Sequence, residues 1–183
     1  MILSFALLTL LQLQFAAPPK PPPLAIDSAI VVLQGVVDAA GRLTTVQVLH
    51  GGMPYVAPSL GTIGHWSFGE QTGMGERVGV TFLYRGRSLI ANTPFRINFQ
   101  QPGLPTVVVD PGYPVNSVAE GVVILETHVG RSGRVERIDV VRPEPSLTEA
   151  AIQAVRQWLF VPVEDPLGST HIAVISFLRP ALE

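Results

Sequence analysis

The chain contains no cysteine and few charged residues. None of its 183 residues is Cys, and 14% are Asp, Glu, Lys or Arg, against 47% hydrophobic residues. The absence of cysteine excludes disulfides, thiolate metal sites and thiol nucleophiles. The formal net charge is -2, from 12 basic and 14 acidic side chains, so no basic excess predicts binding to nucleic acid or anionic lipid. The composition predicts a packed core for one ordinary domain or two small ones.

The N-terminal residues Ile2–Ala17 form an apolar run that no Lys or Arg precedes. A membrane-spanning helix needs about 20 such residues, so this run is short for a stable anchor and is typical of a signal peptide. Residues 1–17 are therefore predicted to be a signal peptide or short membrane anchor, and residues 18–23 a proline-rich spacer. The protein is expected to be periplasmic, either exported or tethered to the inner membrane.

The sequence repeats itself at a fixed spacing. The two tryptophans are Trp66 and Trp158, and 158 minus 66 gives 92. Gly41 and Gly133 have the same spacing, as do Phe68 and Phe160. The strand that follows the tryptophan is expected to drift from this spacing by about three residues. A fixed-period repeat of this kind predicts two copies of one structural unit.

Each copy is predicted to have the order β-β-α-β. In the second copy, residues Val122–Val129 and Arg134–Val141 are β-rich runs joined by a turn that ends in Gly133. Ser146 to Glu149 has a capping-box pattern, which predicts a helix over about Leu147–Gln157. His171–Leu178 closes the unit as a third strand. In the first copy two glycines, Gly61 and Gly64, predict a short or partly unwound helix.

The predicted fold class is α+β, with two tandem modules that are each a three-stranded antiparallel sheet packed by one helix. The predicted domain bounds are residues 24–100 for the divergent first module, 101–112 for a linker and 113–183 for the second module. Six residues are predicted to be structural core: Gly41, Trp66, Phe68, Gly133, Trp158 and Phe160.

No residue pattern predicts catalysis, a metal site or a cofactor. The four histidines are not paired at metal-ligand spacing, and the carboxylates Glu126, Glu136 and Asp139 fall where strand alternation predicts solvent. Stacking of a ligand on Trp66 or Trp158 is an alternative to a core role, but both end an amphipathic stripe and are better explained as core. The protein is predicted not to be an enzyme; only a deep pocket with converging titratable groups would favour one.

The second copy resembles the C-terminal domain family of TonB-type energy transducers. The resemblance covers residues 113–179 and is carried by Tyr113-Pro114, the strand from Val122, Gly133-Arg134-Val135 and the stretch from Leu147 to Pro162 that contains Trp158. It implies a periplasmic interaction domain that binds an envelope protein or an outer-membrane receptor peptide by strand addition, driven by an inner-membrane motor.

The resemblance also implies where a partner binds. The last strand, His171 to Arg179, is expected to be a free sheet edge with Tyr113-Pro114 nearby. The expected partner-binding residues are Tyr113, Pro114, His171, Ile172, Val174, Ser176 and Phe177. The alternative is a structural or scaffolding envelope protein that self-associates through its edge strands, for example as a homodimer.

Overall fold

A computed structural model describes residues 12–22, 27–69 and 75–181. Residues 1–11 of the predicted leader lie outside the described residues. Residues 23–26, which include the last residue of the predicted proline-rich spacer, lie outside them as well. In chain order the elements are β1 (Leu13–Phe15), β2 (Ala29–Val37), β3 (Leu43–His50), α1 (Val56–Ile63), β4 (Ser67–Phe68), β5 (Arg77–Tyr84), β6 (Phe95–Arg96), β7 (Pro105–Val108), β8 (Gly121–Val129), β9 (Val135–Arg142), α2 (Thr148–Val155), β10 (Leu159–Phe160) and β11 (Ser169–Phe177). No helix among the described residues is long and apolar enough to span a membrane.

One six-stranded sheet, in the order β3-β2-β5-β11-β8-β9, forms the centre of the molecule. The prediction of an α+β fold is confirmed by this sheet and its two helices. The prediction of two separate three-stranded sheets is wrong, because β5 and β11 pair with each other and join the strands of both halves. Both strands are buried along almost their whole length. A strand that is apolar on both faces is stable only inside a covered sheet, which explains why these two strands are central.

The contact between β5 and β11 is parallel. Its register runs from His171 opposite Gly79 to Ser176 opposite Tyr84. Residues opposite each other are 92 positions apart, but they share a face of the sheet, whereas the equivalent residues Leu33 and Leu125 lie on opposite faces. Leu33 pairs with Val80 and Leu125 pairs with Ala173, so equivalent residues of β5 and β11 are 93 positions apart, and the strand drifts by one residue rather than by the expected three or so. All other pairings in the sheet are antiparallel.

The two helices lie on opposite faces of the sheet. Ile63, at the end of α1, belongs to a core cluster with Val31 and Leu33 of β2. Ala151 and Val155 of α2 belong to a second cluster that includes Val32, the residue between those two. Successive strand residues point to opposite faces, so the clusters lie on different sides. The placement of the helices on opposite faces follows from the parallel β5–β11 contact. The rotation that relates the two halves runs about an axis along the strands, and such a rotation exchanges the two faces of the sheet.

The end of the predicted leader is part of the fold. β1 pairs antiparallel with β4, and the side chains of Leu13 and Ala16 are buried in the first core cluster. The indole Nε1 of Trp66 donates a hydrogen bond of 3.0 Å to the carbonyl of Ala17. Residues 12–17 are thus packed against the first half of the sheet rather than separated from it by the proline-rich segment.

The helices differ from their predictions in two respects. α1 is eight residues long, the same length as α2, so its glycines do not shorten it. α2 starts after Leu147 with no side-chain cap, so the predicted capping box is wrong. Instead Thr148 Oγ1 donates to the carbonyl of Glu144 and accepts from its N–H, both at 2.8 Å, while Ser146 Oγ pairs with Ser117 Oγ.

Candidate partner-binding site

The strand that the sequence predicts as the binding edge lies in the interior of the sheet. β11 pairs with β5 on one side and with β8 on the other. His171, Ile172, Val174, Ser176 and Phe177 are all buried. The prediction that this strand is a free edge is wrong. β5, from the first half of the chain, already occupies the side of β11 at which a partner strand was expected to add.

His171 shows how closely this contact is packed. Its imidazole Nε2 lies 2.8 Å from Thr81 Oγ1 of β5, and the ring fills the space beside Gly79. A Cβ at Gly79 would lie 2.4 Å from His171 Nδ1, so only glycine fits there. Burial lowers the pKa of His171 to about 3, so the ring is neutral at physiological pH. His171 therefore has a packing role in this fold.

Tyr113 and Pro114 begin the second half. The Tyr113 side chain is buried in the same core cluster as Phe177, and its hydroxyl donates a hydrogen bond of 2.9 Å to the carbonyl of Ala119. Pro114 is half-buried. The structure thus brings Tyr113 together with the end of β11, but beneath the surface rather than beside an open edge.

The six predicted core residues are buried and make equivalent contacts in the two halves. Trp66 donates to the carbonyl of Ala17 and Trp158 to that of Val109, both at 3.0 Å, and these acceptors are also 92 positions apart. The N–H groups of Phe68 and Phe160 donate to the carbonyls of Gly41 and Gly133, both at 2.8 Å. Buried indoles with satisfied donors leave no face for stacking a ligand.

Among the described strands of the large sheet, only β3 and β9 have one neighbour each. β9 belongs to the second half and carries four charged side chains, Glu136, Arg137, Asp139 and Arg142. β3 carries none. These two strands are the edges at which an extended segment can add backbone hydrogen bonds without displacing part of the chain.

A cluster of titratable side chains lies on β8 and β9. One ligand atom each from Glu126, His128 and Asp139 lies within 4.8 Å of the others, an arrangement that could hold a metal ion. The guanidinium of Arg137 is already there: its Nη2 lies 2.6 Å from His128 Nε2 and 2.9 Å from Asp139 Oδ2. A positive side chain in this position supplies the charge that a cation would otherwise provide.

Glu126 is buried, although strand alternation predicts that it faces solvent. The N–H of Leu13 donates a hydrogen bond of 2.7 Å to Glu126 Oε2, so β1 covers this part of β8. Burial raises the pKa of Glu126 to about 7 despite the Leu13 hydrogen bond. Burial, followed by the charge of Arg137, lowers the pKa of His128. The sequence gives no signal for this contact, since it joins residues that are 113 positions apart.

Residues 111–177 match the family model described as the Gram-negative bacterial TonB protein C-terminal. The match covers β8, β9, α2 and β11, and it begins just before Tyr113. No curated protein and no solved structure matches the chain.

Proposed function

We propose that this protein is a non-enzymatic, periplasmic interaction protein, because residues 111–177 match the model of the TonB C-terminal family. It binds an extended segment of another envelope protein, such as an outer-membrane receptor, by adding that segment as a strand to β9. The observation that carries this proposal is the topology. In the large sheet β11 is paired on both sides, so β9 is the strand of the matched domain that has an open edge in that sheet.

The side chains of β9 suit a selective contact. Glu136, Arg137, Asp139 and Arg142 place charges of both signs along the strand, and Arg137 pairs with Asp139. Charges on an edge strand oppose indiscriminate pairing with other chains. They also favour a partner whose charges complement them, which gives specificity to a contact whose affinity comes from backbone hydrogen bonds.

We also propose that the first half is a second, divergent copy of the same domain. The spacing of 92 residues holds for the turn glycines, the tryptophans and the carbonyl acceptors of the tryptophans. In this proposal the first copy stabilises the second by covering β11, and the partner is therefore bound elsewhere. The matched segment itself covers the second half alone.

Coupling to an inner-membrane motor is the further step that the family resemblance implies. A test by truncation has to leave residues 12–17 in place, because Leu13 and Ala16 are part of the core. Loss of function after removal of those residues would report unfolding rather than loss of an anchor.

Strand addition at β9 is tested in two steps. Peptides that bind the full chain are selected from a random display library, and amide hydrogen exchange of the protein is then measured with and without each selected peptide. We expect selected peptides to slow exchange in residues 135–142. Val140→Lys should weaken binding at least about tenfold, or about 1.4 kcal/mol, since lysine on an edge opposes pairing. Val48→Lys is the matched control, because Val48 is the equivalent residue of β3 and the two are 42% and 43% exposed.

Two results contradict the proposal. One is that selected peptides slow exchange outside β9. The other is that Val140→Lys leaves their affinity unchanged while circular dichroism shows a native fold.

A further inference from the structure

The two ends of the large sheet differ sharply in charge. Residues 43–69, which hold β3, α1 and β4, contain no Asp, Glu, Lys or Arg. The equivalent residues 135–161 contain seven such side chains: Glu136, Arg137, Asp139, Arg142, Glu144, Glu149 and Arg156. We call residues 43–69 the neutral edge. Since charged residues make up 14% of the chain, a run of this length without any is a specific property of this end of the molecule.

The neutral edge also exposes apolar side chains. Val48 on β3 is 42% exposed, Met53 in the following turn is 81% exposed, and Leu60 on α1 is 38% exposed. Exposed apolar side chains that occur singly need no explanation, but three within one uncharged stretch are typical of a contact surface.

β3 lacks two of the usual protections of an edge strand, charged side chains and proline. Natural edges are blocked by charged side chains, by proline or by bulges. β3 and β9 each have two register irregularities, one at equivalent places near the far end and one nearer the turn, so the presence of bulges does not distinguish them. Charge does distinguish them, because β9 has four charged side chains and β3 has no charge and no proline.

We propose that β3 pairs antiparallel with β3 of a second copy of this chain, so that two six-stranded sheets form one continuous sheet across a two-fold axis. An antiparallel pair of identical strands has this symmetry by construction, and each residue contributes the same surface twice. The second copy supplies an edge with no Asp, Glu, Lys or Arg, so the contact desolvates no carboxylate, ammonium or guanidinium group. A charged partner segment would lose hydration and find no opposite charge within residues 43–69. This dimer is independent of the partner site on β9, which remains open at the far end of each sheet.

The dimer is tested by sedimentation equilibrium of the full chain from micromolar to millimolar concentration. The wild type and Val140→Lys should dimerise with the same dissociation constant. Val48→Lys should raise the dissociation constant at least tenfold, because it places two lysines on the paired edges. A wild type that stays monomeric over this range overturns the proposal, and so does a dimer that Val140→Lys disrupts and Val48→Lys does not.

A second measurement uses the unaltered protein and so does not depend on the variants folding. Amide hydrogen exchange in residues 43–50 should slow as the concentration rises through the dissociation constant, while exchange in residues 135–142 stays unchanged. Concentration-dependent protection of α1 with none in β3 would contradict strand pairing. Sedimentation of monomeric protein with phosphatidylcholine vesicles would show that the neutral edge binds lipid instead, and would also overturn the proposal.

Discussion

At the scale of single residues, two glycines determine how each half closes. Gly41 and Gly133 have φ of 70° and 76°, in the left-handed region that favours glycine. Each also lies against the carbonyl of a phenylalanine that follows the buried tryptophan. The turn, the tryptophan and the two-residue strand after the helix are therefore fixed together, and this explains why these residues share the spacing of 92.

Replacing Gly133 should destabilise the protein. A Cβ at Gly133 would lie 2.1 Å from the Phe160 carbonyl oxygen, and its positive φ is unfavourable for alanine. We expect Gly133→Ala to lower the free energy of unfolding by more than about 1 kcal/mol, measured by urea denaturation. Gly52→Ala is the control, since a Cβ there meets no atom within 4 Å. Equal effects of the two substitutions would contradict this account of the turn.

The buried carboxyl of Glu126 should make stability depend on pH. Burial raises its pKa from 4.5 to about 7, so within this window the folded chain holds a proton that the unfolded chain releases. The contribution of Glu126 to stability is therefore greatest below pH 4.5, falls as pH rises to 7 and is constant above it.

Glu126→Gln should remove this dependence and keep an acceptor for the Leu13 N–H. The free energy of unfolding of the variant, relative to wild type, should rise by about 2–3 kcal/mol across that window. The lowered pKa values of His128 and His171 act in the opposite direction, but both proteins contain them and the difference isolates Glu126. A difference that does not change with pH would contradict the assignment.

At the scale of elements, the sequence predicts what is local. The turn at Gly133, the amphipathic helix before Trp158 and the three strands of the second half lie close to their predicted positions. The partner of each strand is less predictable. The runs that became β5 and β11 lack alternation of polar and apolar residues, and such runs are typical of strands covered on both faces. That signal favours an interior position for β11, whereas the family resemblance implied an edge.

Other differences come from contacts between distant residues. Glu126 was expected in solvent because alternation considers one strand at a time, whereas β1 arrives from the other end of the chain to cover it. The cluster of Glu126, His128, Arg137 and Asp139 is formed by pairing of β8 with β9, which sets the register of side chains that sequence spacing alone does not bring together.

At the scale of the whole molecule, the two halves share both cores. The cluster under α1 includes Val122 and Ile124 of the second half, and the cluster under α2 includes Ile30 and Val32 of the first. Neither half can bury its apolar side chains without the other. A chain with this organisation is expected to unfold as one cooperative unit.

The tryptophans allow a direct test of that cooperativity, because each half contains one. In Trp66→Phe, fluorescence reports on the second half, and in Trp158→Phe it reports on the first. In each variant the midpoint of urea unfolding by fluorescence should coincide with the midpoint by far-ultraviolet circular dichroism. Separate midpoints would show that the halves unfold independently and would contradict the shared cores.

The pairing of His171 with Gly79 gives the two halves different, complementary shapes. A β11–β11 contact in the same register would place two imidazoles in a space that accommodates one, and a β5–β5 contact would place two glycines opposite each other and leave a void. Only the unlike combination fills the volume. The β5–β11 contact therefore disfavours pairing of two identical strands, β5 with β5 or β11 with β11, from different molecules.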